Sequence, residues 1–283
     1  MINQLFTILE IIEKSTDFLN KKGIPNPKCD SEWIISKVLK KERLQLYLDH
    51  NEILPKEKLT QIRKDIIARG QRVPLQHILG NVKFFECDLK VDERALIPRP
   101  ETELFVETVS KRFHESFSGK FLDLGTGSGA IIISLCKIFS QANGIGYEKS
   151  KEAIQLAQEN IVLNNLSNVQ IEHFDWWDQK IDEKYDLIIS NPPYLSLQEW
   201  ESTEPEVREF DPKPALVSQE KGLADIFHII NSTKTNLKTG GILALEIGSS
   251  HSEKVIQKLN LLYKNTEIIK DLNYINRFTI SWN

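Results

Sequence analysis

The residues whose types and spacing indicate chemistry most strongly are Asn191, Pro192, Pro193 and Tyr194, which follow an apolar run at residues 185–189. This run is short and rich in β-branched residues, as is typical of a buried strand. The two prolines lack a backbone N–H and cannot continue a sheet ladder. We therefore predict a rigid corner past the carboxyl end of the strand, where open α/β sheets bind ligands.

The predicted corner is rich in hydrogen-bond acceptors. Asn191 carries an amide group, each proline offers a carbonyl without a donor, and Tyr194 adds a flat ring with a polar tip. Two acceptors can orient the N–H bonds of a planar amide or exocyclic amine, whose conjugated lone pair makes it a poor nucleophile. Such a site could hold that nitrogen in line with an electrophile. A strand followed by an inert proline turn is the alternative interpretation.

A glycine-rich loop follows another predicted strand at residues 121–124. It consists of Gly125, Thr126, Gly127, Ser128 and Gly129. Glycines let a backbone approach a ligand closely, and the loop precedes a predicted helix whose N-terminus favours anions. The spacing differs by one residue from the dinucleotide-binding fingerprint, so the loop alone is weak support for a nucleotide site.

Two further strand ends complete a candidate cofactor site. Glu148 ends the second strand about twenty residues after the loop, where a carboxylate can accept both hydroxyls of a ribose. The third strand leads to Asp175, Trp176 and Trp177, which could contact an adenine by hydrogen bonding and stacking. A solvated strand end and a core tryptophan are the simpler alternatives. Together these sites favour an adenosine-bearing cofactor, and nothing in the pattern indicates hydride chemistry.

The elements that must position these residues fall into three segments. Residues 1–73 read as an all-helical bundle, beginning with Leu5, Ile8, Leu9 and Ile12 at helical spacing. Residues 74–100 form a linker with a β-hairpin. Residues 101–283 alternate strand and helix, which predicts an α/β, doubly wound parallel sheet. Its last two strands, at 266–270 and 277–282, have no helix between them and predict an antiparallel edge hairpin.

Composition excludes several classes of protein. The 283 residues are 40% hydrophobic and 27% charged, with a net charge of −4, which argues against a dedicated duplex-binding domain. The three cysteines, without CxxC spacing, and the six histidines, without paired spacing, predict no metal site and a cytoplasmic protein with reduced thiols. The sequence shows neither a signal peptide nor an apolar run that could span a bilayer.

The loop and the corner together resemble those of class I methyltransferases that act on amide or amino nitrogen. Three further segments resemble the HemK/PrmC family of peptide chain release factor N5-glutamine methyltransferases: PLQHILG at residues 74–80, LIPRPETE at 96–103 and ADI at 224–226. The first two segments are more specific than the loop or the corner. The resemblance covers nearly the whole chain, including its N-terminal helices.

The resemblance implies a function that the residues alone do not define. It implies methyl transfer from S-adenosyl-L-methionine to the side-chain nitrogen of the glutamine in the Gly-Gly-Gln motif of class 1 release factors. The protein would be a cytoplasmic monomer with no stable nucleic-acid partner, and its helical domain would recognise the substrate protein. The implied catalytic residues are Asn191, Pro192 and Tyr194, and the implied substrate contacts are Asn191, Pro192, Pro193 and Tyr194. The implied cofactor contacts are Gly125, Thr126, Gly127, Ser128, Gly129, Glu148, Trp176 and Asn191.

The chain departs from the family pattern at two places. Glu148 stands where the family usually has Asp, and residues 271–274 read DLNY where the family has DLAG, although Arg277 is retained. Three alternatives stay open: a methyltransferase for a ribosomal-protein glutamine, one for an exocyclic amine of a nucleic-acid base, and a scaffold that binds cofactor without turnover. A base methyltransferase would need a basic face and a base-flipping pocket, which the acidic composition disfavours.

Overall fold

The computed structural model describes residues 6–283, which divide into two compact units. The first unit contains the chain up to Asn81 together with residues 205–210, and the second contains residues 82–204 and 211–283. Leu5, which the sequence predicts on the apolar face of the first helix, lies outside the described residues.

The first unit is helical. Thr7 and Glu10 form a capping box that starts its first helix. The second helix begins at Pro27, and Asp30 in its first turn is buried in an ion pair with Arg69 at 2.7 Å. The helices are α1 Ile8–Lys21, α2 Pro27–Leu39, α3 Arg43–Leu48, α4 Lys56–Gly70, α5 Leu75–Leu79 and, from the later segment, α10 Pro205–Phe210.

The helices of this unit enclose a core of their own. Ile8, Leu19, Ile34 and Leu46 are fully buried in it. The helix α10 is held by Glu206, which pairs with Arg69 at 2.9 Å and Arg72 at 2.6 Å. A segment from the later part of the chain is therefore an integral part of the helical unit.

The second unit is built on a seven-stranded sheet, whose strands are β3 Lys120–Leu124, β4 Asn143–Glu148, β5 Val169–His173, β6 Tyr185–Ser190, β7 Leu237–Glu246, β8 Asn265–Lys270 and β9 Asn276–Trp282. Their order in the sheet is β5-β4-β3-β6-β7-β9-β8. Neighbouring strands are parallel from β5 to β7, and β9 pairs antiparallel with both β7 and β8. This arrangement confirms the predicted doubly wound sheet with an antiparallel edge hairpin. A separate two-stranded sheet comprises β1 Asn81–Phe84 and β2 Cys87–Lys90.

Helices cover both faces of the sheet. Phe121 packs with α6 (Pro100–Ser110) and α7 (Ala130–Ile138) on one face. The next residue, Leu122, packs with α12 (Ala224–Thr233) and α13 (Ser252–Leu262) on the other, as the two-residue strand period requires. The sequence pattern that predicts buried strands therefore reflects burial on both faces. The helices of this unit are α6 Pro100–Ser110, α7 Ala130–Ile138, α8 Lys151–Leu163, α9 Leu197–Glu201, α11 Gln219–Gly222, α12 Ala224–Thr233 and α13 Ser252–Leu262.

Strand β7 begins earlier than the sequence pattern indicates. The sequence predicts a helix to Leu237 and a strand from Gly241, but α12 ends at Thr233 and β7 already starts at Leu237. The pairing of β7 with β6 shifts register after Leu237, and Gly240 adopts a φ of 77° there. Gly240, which the sequence pattern indicates as a boundary of the strand, thus lies at an irregularity within it.

Candidate active site

A cavity of about 630 Å³ opens at the carboxyl ends of β3, β4 and β6 within the second unit. The chain reverses direction across the sheet here, since β4 and β6 flank β3 on opposite sides. Such a switch point is where doubly wound sheets bind ligands. Eight of the residues predicted from the sequence border the cavity: Gly125, Gly127, Glu148, Asp175, Trp176, Trp177, Asn191 and Pro193.

The glycine loop approaches the cavity with its backbone. Gly125 and Gly127 have φ values of 76° and 56°, a region that residues with a Cβ rarely adopt. A Cβ at Gly125 would lie 3.3 Å from the Trp176 ring, whereas a Cβ at Gly127 would meet no protein atom within 4 Å. Gly127 thus leaves open space on the cavity side of the loop.

The other members of the loop stabilise its shape. The Thr126 hydroxyl donates to Asp123 Oδ2 at 2.6 Å, and Ser128 is buried. Gly129 caps helix α7, and its N–H donates to the carbonyl of Thr126 at 2.8 Å. Thr126, Ser128 and Gly129, which the resemblance implies as cofactor contacts, are not among the residues that border the cavity.

Asp123 lies fully buried beneath the loop. Burial raises the pKa of its carboxyl group to about 7; the hydrogen bond from Thr126 opposes this rise and the charge of Glu148 adds to it. Thr126 therefore binds a carboxyl group that is only partly ionised near neutral pH.

Glu148 joins the loop to the following helix. Its carboxylate accepts the backbone N–H of Gly127 at 2.9 Å and that of Ser150, the residue that caps α8, at 2.8 Å. The side chain also borders the cavity. These two bonds hold a negative charge beside the N-termini of two helices, which is a favourable position for it.

Two indoles form another wall of the cavity. Trp176 Nε1 and Trp177 Nε1 both donate to Asp225 Oδ1, at 3.0 and 2.9 Å, and Ser218 Oγ donates to Asp225 Oδ2 at 2.5 Å. The residue pattern of the sequence does not by itself predict a role for Asp225. Its presence in the ADI segment, which is shared with the family, is the signal that could have identified it.

The Asn-Pro-Pro-Tyr corner follows β6 as predicted, although only Asn191 and Pro193 border the cavity. Asn191 Nδ2 donates to Thr102 Oγ1 at 3.3 Å. Tyr194 lies behind the corner, and its hydroxyl donates to Glu246 Oε1 at 3.4 Å. Burial raises the pKa of Tyr194 well above its ordinary value, so this phenol is neutral at physiological pH.

Several cavity residues were not predicted from the sequence. They lie in loops, and only the folding of the chain brings these loops to the cavity. These residues are Arg94, Ala95, Leu96, Lys149, Ser150, Pro212, Pro214 and Ala215. Arg99 pairs with Asp211 at 2.5 Å and thereby anchors the loop that carries Pro212. Among residues 6–283, no helix combines the length and the apolar character needed to cross a membrane.

Comparison with protein families gives two matches along the chain. Residues 10–80 match the model of the PrmC N-terminal domain, and residues 100–205 match that of the methyltransferase small domain. The release factor glutamine methyltransferase of Fusobacterium nucleatum is 37% identical over 278 residues, which cover 96% of this chain and 78% of that protein. The protein of the same name from Geobacter sulfurreducens is 34% identical over 253 residues, which cover 89% and 88% respectively.

Among solved structures, the hMettl16 catalytic domain, solved in complex with the MAT2A 3′UTR hairpin 6, aligns with a TM-score of 0.55 at 15% identity. The alignment covers 82% of this chain and 84% of that one. This likeness concerns the fold alone, and it confirms the predicted class I methyltransferase fold.

Proposed function

The chain belongs to the family of release factor glutamine methyltransferases, and from that premise we propose that it methylates the glutamine of the Gly-Gly-Gln motif in class 1 release factors. The methyl donor is S-adenosyl-L-methionine and the acceptor is the side-chain amide nitrogen. The observation that carries the proposal is that one cavity brings together Glu148, suited to a ribose, and Asn191, suited to an amide.

The cavity fits the cofactor in size and chemistry. Its volume of about 630 Å³ lies in the range of small-molecule sites. Gly127 leaves room for a ligand against the backbone, and Glu148 offers a carboxylate for ribose hydroxyls. Trp176 and Trp177 provide ring surface for an adenine. When bound, the cofactor supplies an electrophilic methyl group on its sulfonium sulfur.

Asn191 is the residue to which we assign orientation of the substrate amide. Its Nδ2 is engaged with Thr102, which leaves its Oδ1 to accept an N–H of the glutamine side chain. A backbone carbonyl of the corner is the second acceptor; of the two prolines, Pro193 is the one that borders the cavity. Two such bonds align the weakly nucleophilic nitrogen with the methyl group, and the nitrogen releases its proton to water after transfer.

Pro192, Pro193 and Tyr194 have supporting roles in this proposal. The prolines hold the corner rigid because their ring closure restricts φ. Pro193 borders the cavity and provides an apolar surface to the substrate. Tyr194 supports the corner from behind through its contact with Glu246, so we assign it to positioning rather than to proton transfer.

We assign recognition of the folded substrate protein to the N-terminal helical segment, residues 1 to about 73, which belongs to the helical unit. A Gly-Gly-Gln tripeptide offers little surface, whereas a specific protein interface usually buries more than about 1,000 Å². The helical unit exposes large apolar side chains on and beside α3, among them Leu44, Leu48 and Ile53. Exposed apolar residues in proximity are typical of protein-binding surfaces.

We further place the protein in the cytoplasm as a monomer without a stable nucleic-acid partner. Its three cysteines are unpaired thiols, two of them buried, as expected for a reducing compartment. The net charge of −4 provides little attraction for phosphate backbones.

Mass spectrometry of release factor after incubation with enzyme and cofactor tests the proposed function. The expected result is one added methyl group on the glutamine of the Gly-Gly-Gln motif. Parallel incubations with ribosomal proteins and with RNA separate the alternatives. Methylation of either of these but not of release factor would contradict the proposal, and cofactor binding without any product would indicate a scaffold.

A further inference from the structure

We propose that Thr102 and Glu246 form a hydrogen-bonded relay that sets which end of the Asn191 amide faces the substrate. The relay deepens the proposed function, because it rests on the role of Asn191 described above. Neither Thr102 nor Glu246 borders the cavity, so both are positioning residues that act through Asn191.

The relay connects three separate elements of the second unit. Thr102 lies on α6, Glu246 ends β7 and Asn191 follows β6. Thr102 Oγ1 donates to Glu246 Oε2 at 2.8 Å, and Asn191 Nδ2 donates to Thr102 Oγ1 at 3.3 Å. Thr102 and Glu246 are 4% and 2% exposed, so water does not compete for these bonds.

The direction of the relay follows from the number of hydrogens available. A threonine hydroxyl has one hydrogen to donate. When Glu246 is ionised it can only accept, so the Thr102 hydrogen points to it and the Thr102 lone pair faces Asn191. Asn191 must then present its NH2 to Thr102, which leaves Oδ1 available for the N–H of a substrate amide.

Protonation of Glu246 removes this constraint. A protonated carboxyl group can donate to Thr102, and the Thr102 hydrogen is then free to point to the Asn191 amide oxygen. The amide would rotate and present NH2 to the substrate, which is the wrong polarity for accepting an N–H. The ionised form of Glu246 is therefore the one that supports methyl transfer.

The surroundings of Glu246 place this change near neutral pH. Burial raises the pKa of Glu246 to about 7, and the nearby charge of Glu101 adds to the rise. Hydrogen bonds from Thr102 and Tyr194 and the charge of Arg277 oppose it. We therefore expect kcat to rise with pH through about 7, as Glu246 loses its proton.

Three variants of the full-length enzyme test the relay. Thr102→Val keeps the shape of the side chain but removes the hydroxyl, and should lower kcat by roughly 10- to 100-fold, because a misplaced catalytic group typically has effects of this size. Cofactor affinity should stay within about threefold of wild type, since the Thr102 side chain does not reach the cavity. Thr102→Ser restores the hydroxyl and should recover most of the activity. Glu246→Gln cannot ionise and should therefore abolish the rise in kcat near pH 7.

A matched control separates positioning from stability. Thr233 on α12 is fully buried, and its hydroxyl donates to the Ile229 carbonyl at 2.6 Å. Thr233→Val should lower the melting temperature without changing kcat of the folded enzyme. Equal loss of kcat in Thr102→Val and Thr233→Val, or wild-type kcat in folded Thr102→Val, would overturn the relay.

A measurement that needs no substrate tests the relay independently of the proposed function. The side-chain NH2 signals of Asn191, followed by ¹⁵N NMR, should shift with pH around 7 in wild type but not in Glu246→Gln or Thr102→Val. A signal that does not respond to pH, or responds equally in all three proteins, would overturn the relay. Absence of methylation in wild type together with the expected NMR titration would instead reject the proposed function alone.

Discussion

The carboxylate of Glu148 accepts the backbone N–H of Gly127 at 2.9 Å, so the end of β4 and the glycine loop meet in one hydrogen bond at the cavity wall. The two residues are 21 positions apart in the chain. Both residues border the cavity, so a ligand bound there can contact both. This hydrogen bond makes the shape of the loop and the position of the carboxylate interdependent.

Gly127→Val should abolish cofactor binding while the protein stays folded. A valine at a φ of 56° is strained, and its side chain would enter the open space beside the loop. Gly240→Val is the matched control, because Gly240 also has a positive φ and open surroundings but lies away from the cavity. Calorimetry of both variants is the measurement. Equal cofactor affinity in the two variants would reject the loop as the binding site.

Glu148→Gln should weaken cofactor binding by about 1–3 kcal/mol, because hydrogen bonds to a charged acceptor are replaced by neutral ones. Glu148→Asp keeps the charge and introduces the residue that is usual in the family, so its loss of cofactor affinity should be smaller than that of Glu148→Gln. Titration calorimetry gives both dissociation constants. An unaltered constant in Glu148→Gln would assign this carboxylate to loop structure alone.

Asn191→Ala should nearly abolish methyl transfer and leave cofactor affinity within about tenfold of wild type. Loss of one preorganised contact to the reacting group typically costs roughly 3 kcal/mol or more in the transition state. The kcat for release factor and the Kd for cofactor are measured on the same preparation. Loss of cofactor binding with normal turnover by the remaining complex would contradict the assigned role.

Asp123→Asn should make the protein relatively more stable as pH rises from about 4 to 7. Because burial raises the pKa of Asp123 to about 7, the folded state retains a proton that the unfolded state releases. Wild type therefore loses stability through this window, at most by about 1.4 kcal/mol per pH unit. Urea unfolding at several pH values measures the difference between variant and wild type. The exposed change Asp182→Asn is the control and should show no such trend.

Replacing exposed leucines of the helical unit should reduce activity on folded release factor but not on a Gly-Gly-Gln peptide. Leu44→Ser with Leu48→Ser removes two side chains that are 73% and 67% exposed, so the core of the unit is unaffected. Leu261→Ser, at a position 80% exposed on α13, is the control. The comparison is kcat/KM for both substrates. Equal kcat/KM of the double variant and the control on folded release factor would place the recognition surface elsewhere.

Local sequence patterns determine the elements of this fold, and contacts between distant elements determine the geometry of the site. The sequence alone determines the alternating strands and helices, the glycine loop after β3, the acid at the end of β4 and the proline corner after β6. Each of these depends on local periodicity or on backbone restrictions of glycine and proline, which act within a few residues. The parallel order of the strands then places their carboxyl ends at one edge, so the candidate site could be predicted before its geometry was known.

Only the tertiary structure decides which of these residues reach the cavity and what holds them. Asn191 and Pro193 border it while Pro192 and Tyr194 do not, because the corner turns after β6. Thr102 and Glu246 meet although 144 positions separate them, and residues 205–210 join the helical unit through Glu206. Such contacts depend on how distant elements pack, and no local pattern encodes the distance between two side chains that the fold brings together.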